Sequence, residues 1–118
     1  MRGTDRRIDY WLEQIVDVAD RMSRHIAGMS ISEFVEDMKT IDAVSWCIAC
    51  IGEACGKILE IDRDFGKTIG LELSAAYAAG NRYVHGYYDL DVEQVWDTAT
   101  DSVPQLAATA RSILKKDG

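Results

Sequence analysis

Long hydrophobic runs are missing from this chain. None approaches the roughly 18 consecutive apolar residues that a membrane-spanning helix requires. The first seven residues, Met-Arg-Gly-Thr-Asp-Arg-Arg, lead into further charged residues rather than into the apolar core of a signal peptide. The sequence therefore predicts a cytoplasmic protein with no cleaved leader and no membrane partner.

Basic residues are in deficit. The 118 residues include 13 Lys and Arg against 20 Asp and Glu, which gives a formal net charge of -7. Extended nucleic-acid binding depends on clustered cations, so this balance argues against a large RNA- or DNA-binding surface, and no DNA partner is expected. It leaves open a small, focused phosphate pocket, assembled from one subunit or from two.

Cysteines are few and odd in number: Cys47, Cys50 and Cys55. An odd count in a chain without a leader argues against a disulfide framework. The spacing of Cys47 and Cys50 raises a metal or redox sensor as one alternative, but no second ligand pair follows at zinc spacing. We therefore expect small apolar side chains packed in a helix, with no bound metal or cofactor.

Apolar residues at helical spacing dominate the rest of the sequence. Their share of 47%, beside 28% charged residues, is typical of one folded domain, which we expect to span residues 1–118. Steps of three and four residues predict an amphipathic helix over about 5–27, closed by Gly28. Ser30 and Glu33 have the spacing of a capping box, which predicts a short helix after them.

The middle of the chain continues this pattern. A longer helix is predicted to begin near Thr40, and Gly52 and Gly56 leave a smooth strip along it where another helix could approach closely. Residues 60–70 are polar and punctuated by glycine, which predicts a loop.

Two further helices complete the prediction. One runs from Leu71 to about His85, and the other begins at Asp91 and extends to about Lys115. Pro104 removes a backbone donor and crowds the preceding turn, so the last helix should bend there. No segment finds a partner strand, and the sequence predicts an all-α helical bundle of four to five helices with a kinked C-terminal helix.

Residues 81–89 hold the strongest chemical signal, because they gather a guanidinium, an imidazole and three phenols. On a helix, Asn81 and Arg82 lie four and three residues before His85, at neighbouring positions. An imidazole moves protons and a guanidinium holds phosphate, so the three side chains suit cleavage of an RNA phosphodiester, whose 2′-hydroxyl is an internal nucleophile needing no metal. The alternative is structural: His85 caps a helix end and Arg82 is an ordinary surface cation, the commoner roles at this spacing.

Several groups of residues, in order and spacing, resemble the HepT-like branch of the HEPN domains over about residues 5–114. The groups are 40–44, 51–54, 81–87, 91–96 and 104–106. The resemblance implies a homodimeric helical bundle that acts as a metal-independent ribonuclease. It also implies the toxin of a HepT/MntA-type toxin–antitoxin pair, with RNA as substrate.

The HepT-like motif consists of an arginine, four to six residues and a histidine, often followed by one residue and a tyrosine. His85 and Tyr87 match its second half, and Asn81 matches the polar residue after the arginine. Gly80 stands where the arginine is expected. The resemblance leaves open whether Arg82 or an arginine of a second subunit supplies the cation, or whether the nuclease is weakened.

The resemblance also gives Tyr87 a regulatory role. In the family, the tyrosine of the His-x-Tyr element is AMPylated by a partner nucleotidyltransferase, which silences the toxin. AMP next to His85 would fill a phosphate site with bulk and negative charge, and Tyr88 is a rival acceptor by proximity. The implied partner is an MntA-like nucleotidyltransferase antitoxin. The alternative function, favoured by Gly80 and the acidic charge, is a catalytically weakened helical module that binds such a partner.

Overall fold

A computed structural model describes residues 5–71 and 91–117 of the chain, and every regular element in these ranges is helical. They are α1 (Arg6–His25), α2 (Ile31–Val35), α3 (Met38–Ile61), α4 (Arg63–Thr68), α5 (Val92–Asp97), a π-helical turn (Thr98–Ser102) and α6 (Val103–Asp117). The predicted all-α bundle is confirmed. Within the described ranges, no helix combines the length and apolarity needed to span a bilayer.

The first helix forms where its pattern predicts. The Asp5 carboxylate accepts a hydrogen bond from the Arg7 backbone N–H (2.7 Å), which caps the first turn. Gly28 follows the helix with a φ of 77°, a left-handed conformation that favours glycine. The buried face of α1 follows the steps of three and four and comprises Ile8, Leu12, Ile15, Val18, Ala19 and Met22.

Local side-chain caps start α2 and α3. The Ser30 hydroxyl accepts from the Glu33 backbone N–H (3.2 Å), and the Glu33 carboxylate accepts from the Ser30 backbone N–H (2.9 Å), so the predicted capping box is confirmed. The Asp37 carboxylate accepts from the Thr40 backbone N–H (3.1 Å), which places the start of α3 at Met38, two residues before the predicted position.

The loop predicted for residues 60–70 is wrong. The α3 helix continues to Ile61, and the Asp62 carboxylate accepts from the Phe65 backbone N–H (3.1 Å) to start α4. Gly66 lies buried inside α4, where a Cβ atom would stand 2.5 Å from Cδ2 of Leu59. This glycine therefore marks close packing against α3 rather than a flexible connection.

The C-terminal helix changes its hydrogen-bond pattern just before Pro104. The Val103 backbone N–H donates to the Thr98 carbonyl, five residues earlier, which makes the turn over Thr98–Ser102 wider than an α-helical turn. Pro104 has no N–H to offer the Thr100 carbonyl. The irregularity predicted at the proline is therefore present as a π-helical turn on its N-terminal side.

The described helices share one core. The α1 helix packs against both α3 and α6, and Arg111 of α6 forms an ion pair with Asp20 of α1. Phe34 of α2 is fully buried and meets Trp96 of α5, with ring centroids 5.1 Å apart. These contacts hold the two described parts of the chain together around the buried residues of α3.

Candidate functional site

The four residues predicted to carry the chemistry, Asn81, Arg82, His85 and Tyr87, lie between the two described ranges. Their geometry is therefore outside the described residues, as are Gly80 and the helix predicted from Leu71 to His85. What the structure defines is the position of the chain where it enters and leaves this interval.

The entrance to the interval is anchored in the core. After α4, Gly70 adopts a φ of 80°, and its backbone N–H donates to the Lys67 carbonyl (3.0 Å). Leu71 follows with no exposed surface. A leucine buried in this way holds its backbone against the bundle, because withdrawing it would cost about 2–3 kcal/mol of transfer free energy.

The exit from the interval is also fixed. The Asp91 carboxylate accepts from the Gln94 backbone N–H (3.1 Å), the helix start that the sequence predicts. One turn later Val95 has no exposed surface, and Trp96 packs on Phe34. The α5 helix thus begins at a defined point of the core, on the side where α2 and α3 contact it.

The described residues that carry the family resemblance serve packing and capping. Ile41 and Val44 of the first group, and Ile51 and Ala54 of the second, are all buried in the core. Asp91 of the later group is a helix cap. These residues of the resemblance therefore serve the fold, and the residues predicted to carry the chemistry remain those of 81–87.

Two of the three cysteines pack as apolar side chains in the core. Cys47 and Cys55 are buried free thiols, Cys50 is half-buried, and no group of three potential metal ligands occurs among the described residues. Burial raises the pKa of the Cys55 thiol to about 12, and burial also raises the pKa of Cys47, against an opposing effect of Arg21. Buried, protonated thiols are poor nucleophiles and poor metal ligands, so the apolar packing role predicted for Cys47 and Cys55 is confirmed.

A surface cleft between α1 and α3 was not predicted from the sequence. It has a volume of about 460 Å³. From α1 it is lined by Trp11, Gln14, Val18 and Arg21, and from α3 by Trp46, Ala49, Cys50 and Glu53. The α1 residues recur at steps of three and four along the edge of the buried stripe, to which Val18 itself belongs, and this spacing is the signal that could have revealed the cleft.

Comparison with known proteins places the chain in a family. A model of the family described as "Ribonuclease HepT-like" matches residues 15–113, which is most of the chain. The chain belongs to the HepT-like family. The resemblance drawn from its sequence motifs is therefore confirmed.

Three relatives extend the HepT-like match over nearly the whole chain. Two proteins of Methanocaldococcus jannaschii, named "Putative RNase MJ1216" and "Putative RNase MJ0125", are each 26% identical over 110 residues. Those alignments cover 93% of this chain and, respectively, 89% and 93% of the relatives. "Putative RNase TTE0752" of Caldanaerobacter subterraneus subsp. tengcongensis is 22% identical over 107 residues, covering 91% of this chain and 94% of that protein. No solved structure gives a significant match.

The HepT-like match includes the interval between Leu71 and Asp91, and therefore Asn81, Arg82, His85 and Tyr87. It also includes Gly80, the position at which the resemblance leads us to expect the arginine of the motif. The α1–α3 cleft lies partly outside it, because Trp11 and Gln14 precede residue 15.

Proposed function

We propose that this protein is a metal-independent endoribonuclease and the toxin of a toxin–antitoxin pair. The observation that carries the proposal is the match to the HepT-like ribonuclease family over residues 15–113, an interval that contains Asn81, Arg82 and His85. The names of the three relatives, all given as RNases, support the same reaction class. A ribonuclease acting on cellular RNA would work in the cytoplasm.

The proposed reaction is transesterification at an RNA phosphodiester. The 2′-oxygen attacks the adjacent phosphorus while its proton passes to a base; the bond from phosphorus to the 5′-oxygen breaks, and that oxygen takes up a proton. His85 performs one of these two proton transfers. Arg82 and Asn81 stabilise the charge that develops on the phosphate oxygens. The products are a 2′,3′-cyclic phosphate and a 5′-hydroxyl.

The acidic net charge limits how this site can hold phosphate. At -7 the whole protein repels a polyanion, so phosphate must be held by a few well-placed groups. With Gly80 in place of the motif arginine, Arg82 is the cation nearest in sequence to His85. A second arginine from the other subunit of a homodimer would complete the pocket.

Cleavage of RNA in the presence of EDTA tests the proposal. Purified protein should cleave a single-stranded RNA oligonucleotide in EDTA and leave 2′,3′-cyclic phosphate ends, detected by mass spectrometry of the fragments. A DNA oligonucleotide of the same sequence is the matched control and should stay intact, because it lacks the 2′-hydroxyl. Cleavage that stops in EDTA, or cleavage of both substrates alike, would contradict the mechanism.

The alternative function is a non-catalytic helical module that binds a nucleotidyltransferase. Gly80 and the acidic charge favour it. It predicts that the purified protein leaves RNA intact at every concentration but still forms a complex with the nucleotidyltransferase. The two functions are therefore separated by the same cleavage assay.

Regulation is proposed to act at Tyr87. A partner nucleotidyltransferase of the MntA type would transfer AMP from ATP to the phenol oxygen, release pyrophosphate and place a bulky anion near His85. Mass spectrometry after incubation with that partner and ATP should locate AMP on Tyr87. A Tyr87→Phe variant should remain unmodified, and a Tyr88→Phe variant, its matched control, should be modified like the natural chain; modification that moves with Tyr88 instead would overturn this assignment.

A further inference from the structure

The α1–α3 cleft is a surface feature that the proposed reaction does not use. Its volume is about 460 Å³, and its α1 side extends from Trp11 to Arg21. A helical segment of that length rises about 15 Å, so the cleft is elongated. Volumes of about 300 to 1,000 Å³ are typical of sites that bind small molecules and cofactors. The side chains of the lining therefore decide which kind of molecule the cleft can hold.

Two indole rings line this cleft, one from each helix. Trp46 of α3 is the most exposed large hydrophobic side chain in the described ranges, with 69% of its surface exposed. Trp11 of α1 is half-buried and packs against the core. Aromatic rings gain energy by stacking on other flat rings, beyond the burial of their area. The cleft therefore suits a flat aromatic ligand.

Three polar side chains accompany the two indoles. Gln14 has an amide with both donors and an acceptor, Glu53 has a carboxylate and Arg21 has a guanidinium. Amides and carboxylates are the groups that hydrogen-bond the edges of nucleobases, and a guanidinium binds phosphate through paired hydrogen bonds. The lining thus combines the three elements that recognise a nucleotide: a stacking surface, polar groups for the base edge and a cation.

The charges of the cleft lining are balanced, with one cation and one carboxylate, whereas the whole chain has a net charge of -7. The acidic α1 residues Asp9, Glu13 and Asp17 lie outside the lining. The carboxylate of Glu53 lies 3.9 Å from Lys57 Nζ of its own helix, which partly offsets its charge. A phosphate attached to a base in the cleft would therefore meet less repulsion than over an acidic part of the surface.

An acidic ribonuclease needs binding energy that does not come from many phosphate contacts, because those contacts require clustered cations. Stacking of unpaired bases on aromatic side chains is a source of this kind, and it accepts every base. Replacing one such side chain with alanine typically weakens binding about fivefold to a hundredfold. An RNA strand is therefore the occupant that matches both the lining of the cleft and the net charge of the protein.

We propose that the α1–α3 cleft is a subsite that binds unpaired bases of the RNA substrate. The bases stack on the two indoles, the amide and the carboxylate of the lining bond to base edges, and Arg21 holds a phosphate. The inference rests on the proposed nuclease and adds a binding element outside residues 81–87. The subsite governs affinity and leaves the proton transfer to His85.

Binding of a labelled single-stranded RNA to the His85→Ala variant, followed by fluorescence anisotropy, tests the subsite without cleavage. Adding Trp46→Leu should raise the dissociation constant about tenfold or more, because leucine is apolar but has no aromatic face. Trp46→Phe should retain most of the affinity. Val35→Ala is the control, since Val35 is an exposed apolar residue outside the cleft, and it should change nothing. Equal affinity of the leucine variant and its parent, both with natural far-UV circular dichroism, would overturn the subsite.

Two further ligands separate bases from phosphates and a strand from a free nucleotide. An RNA of the same length without bases keeps every phosphate, and it should bind at least about tenfold more weakly than the natural strand. Mononucleotides should also bind at least about tenfold more weakly, because they occupy only part of the elongated cleft. Equal binding of the strand without bases would assign the affinity to phosphate. A mononucleotide that binds as tightly as the strand would make the cleft a site for free nucleotides, and either result would overturn the proposal.

Cleavage kinetics separate this inference from the proposed nuclease. In the natural chain, Trp46→Leu should raise KM about tenfold and leave kcat unchanged, as expected when binding energy is lost equally from the ground state and the transition state. A natural chain that cleaves no RNA but binds bases through Trp46 would overturn the nuclease and uphold the subsite. An active nuclease whose RNA affinity does not depend on Trp46 would overturn the subsite alone. A Trp46→Leu variant that loses a dimer but keeps its RNA affinity would assign the cleft to subunit contact instead.

Discussion

Replacing His85 with alanine is expected to lower the rate of RNA cleavage by about a hundredfold to ten-thousandfold. That is the usual contribution of a positioned general acid or base. In the proposed reaction His85 accepts or donates the proton, and alanine can do neither. Initial rates on a fluorescent RNA oligonucleotide in EDTA, with enzyme in excess over substrate, measure the effect on the chemical step.

The other histidine of the chain provides the matched control. His25 lies exposed in the last turn of α1, remote in sequence from residues 81–87. His25→Ala should therefore retain the cleavage rate of the natural chain. Equal losses in the two variants would point to a general effect on folding, and a fully active His85→Ala variant would remove the basis of the proposed mechanism.

Phe34→Ala is expected to lower the free energy of unfolding by about 3–5 kcal/mol, the usual range for truncation of a fully buried phenylalanine. Phe34 has no exposed surface and packs against Trp96 across the junction of α2 and α5. Its loss would leave a cavity where the two described parts of the chain meet. Urea denaturation followed by circular dichroism gives the change from the midpoint and the slope.

Val35→Ala, one residue further along the same helix, controls for this prediction. Val35 has 40% of its surface exposed, so its truncation creates no cavity. We expect a change within about 0.5 kcal/mol, as for most surface substitutions. If Phe34→Ala cost no more than this control, the aromatic contact would not be part of the stabilising core.

The features that the sequence predicted best are set by residues close together in the chain. The capping box of Ser30 and Glu33 and the cap of Asp91 each depend on a side chain and a backbone N–H three residues away. Such hydrogen bonds form locally, so their pattern is visible in the sequence. The buried stripe of α1 follows from helical periodicity in the same way.

The wrong prediction, a loop over residues 60–70, came from a contact between different elements. Gly66 was interpreted as a loop residue, but in the structure it allows α4 to lie against Leu59. Nothing in the residues next to Gly66 reveals that neighbour. A glycine that permits flexibility and a glycine that permits close packing have the same local sequence signal.

The residues predicted to carry the chemistry and the exposed Trp46 of the α1–α3 cleft were difficult to predict for different reasons. His85, Asn81 and Tyr87 were selected through a motif, since their spacing alone is common on helices. Trp46 has 69% of its surface exposed. This could not be predicted, because a tryptophan at helical spacing more often packs in a core. Only the three-dimensional arrangement shows which face of the helix is left open.

The π-helical turn over Thr98–Ser102 gives the C-terminal helix one residue more than an α-helical turn would hold. Val95 before the turn, Ala99 within it, and Leu106 and Ala110 after it are nevertheless all buried. The additional residue is thus accommodated within the turn, and the part of the helix that follows, Val103–Asp117, keeps its apolar face toward the core. Inserting or deleting a single amino acid would normally disrupt a long amphipathic helix. In this turn, evolution can accept such a change.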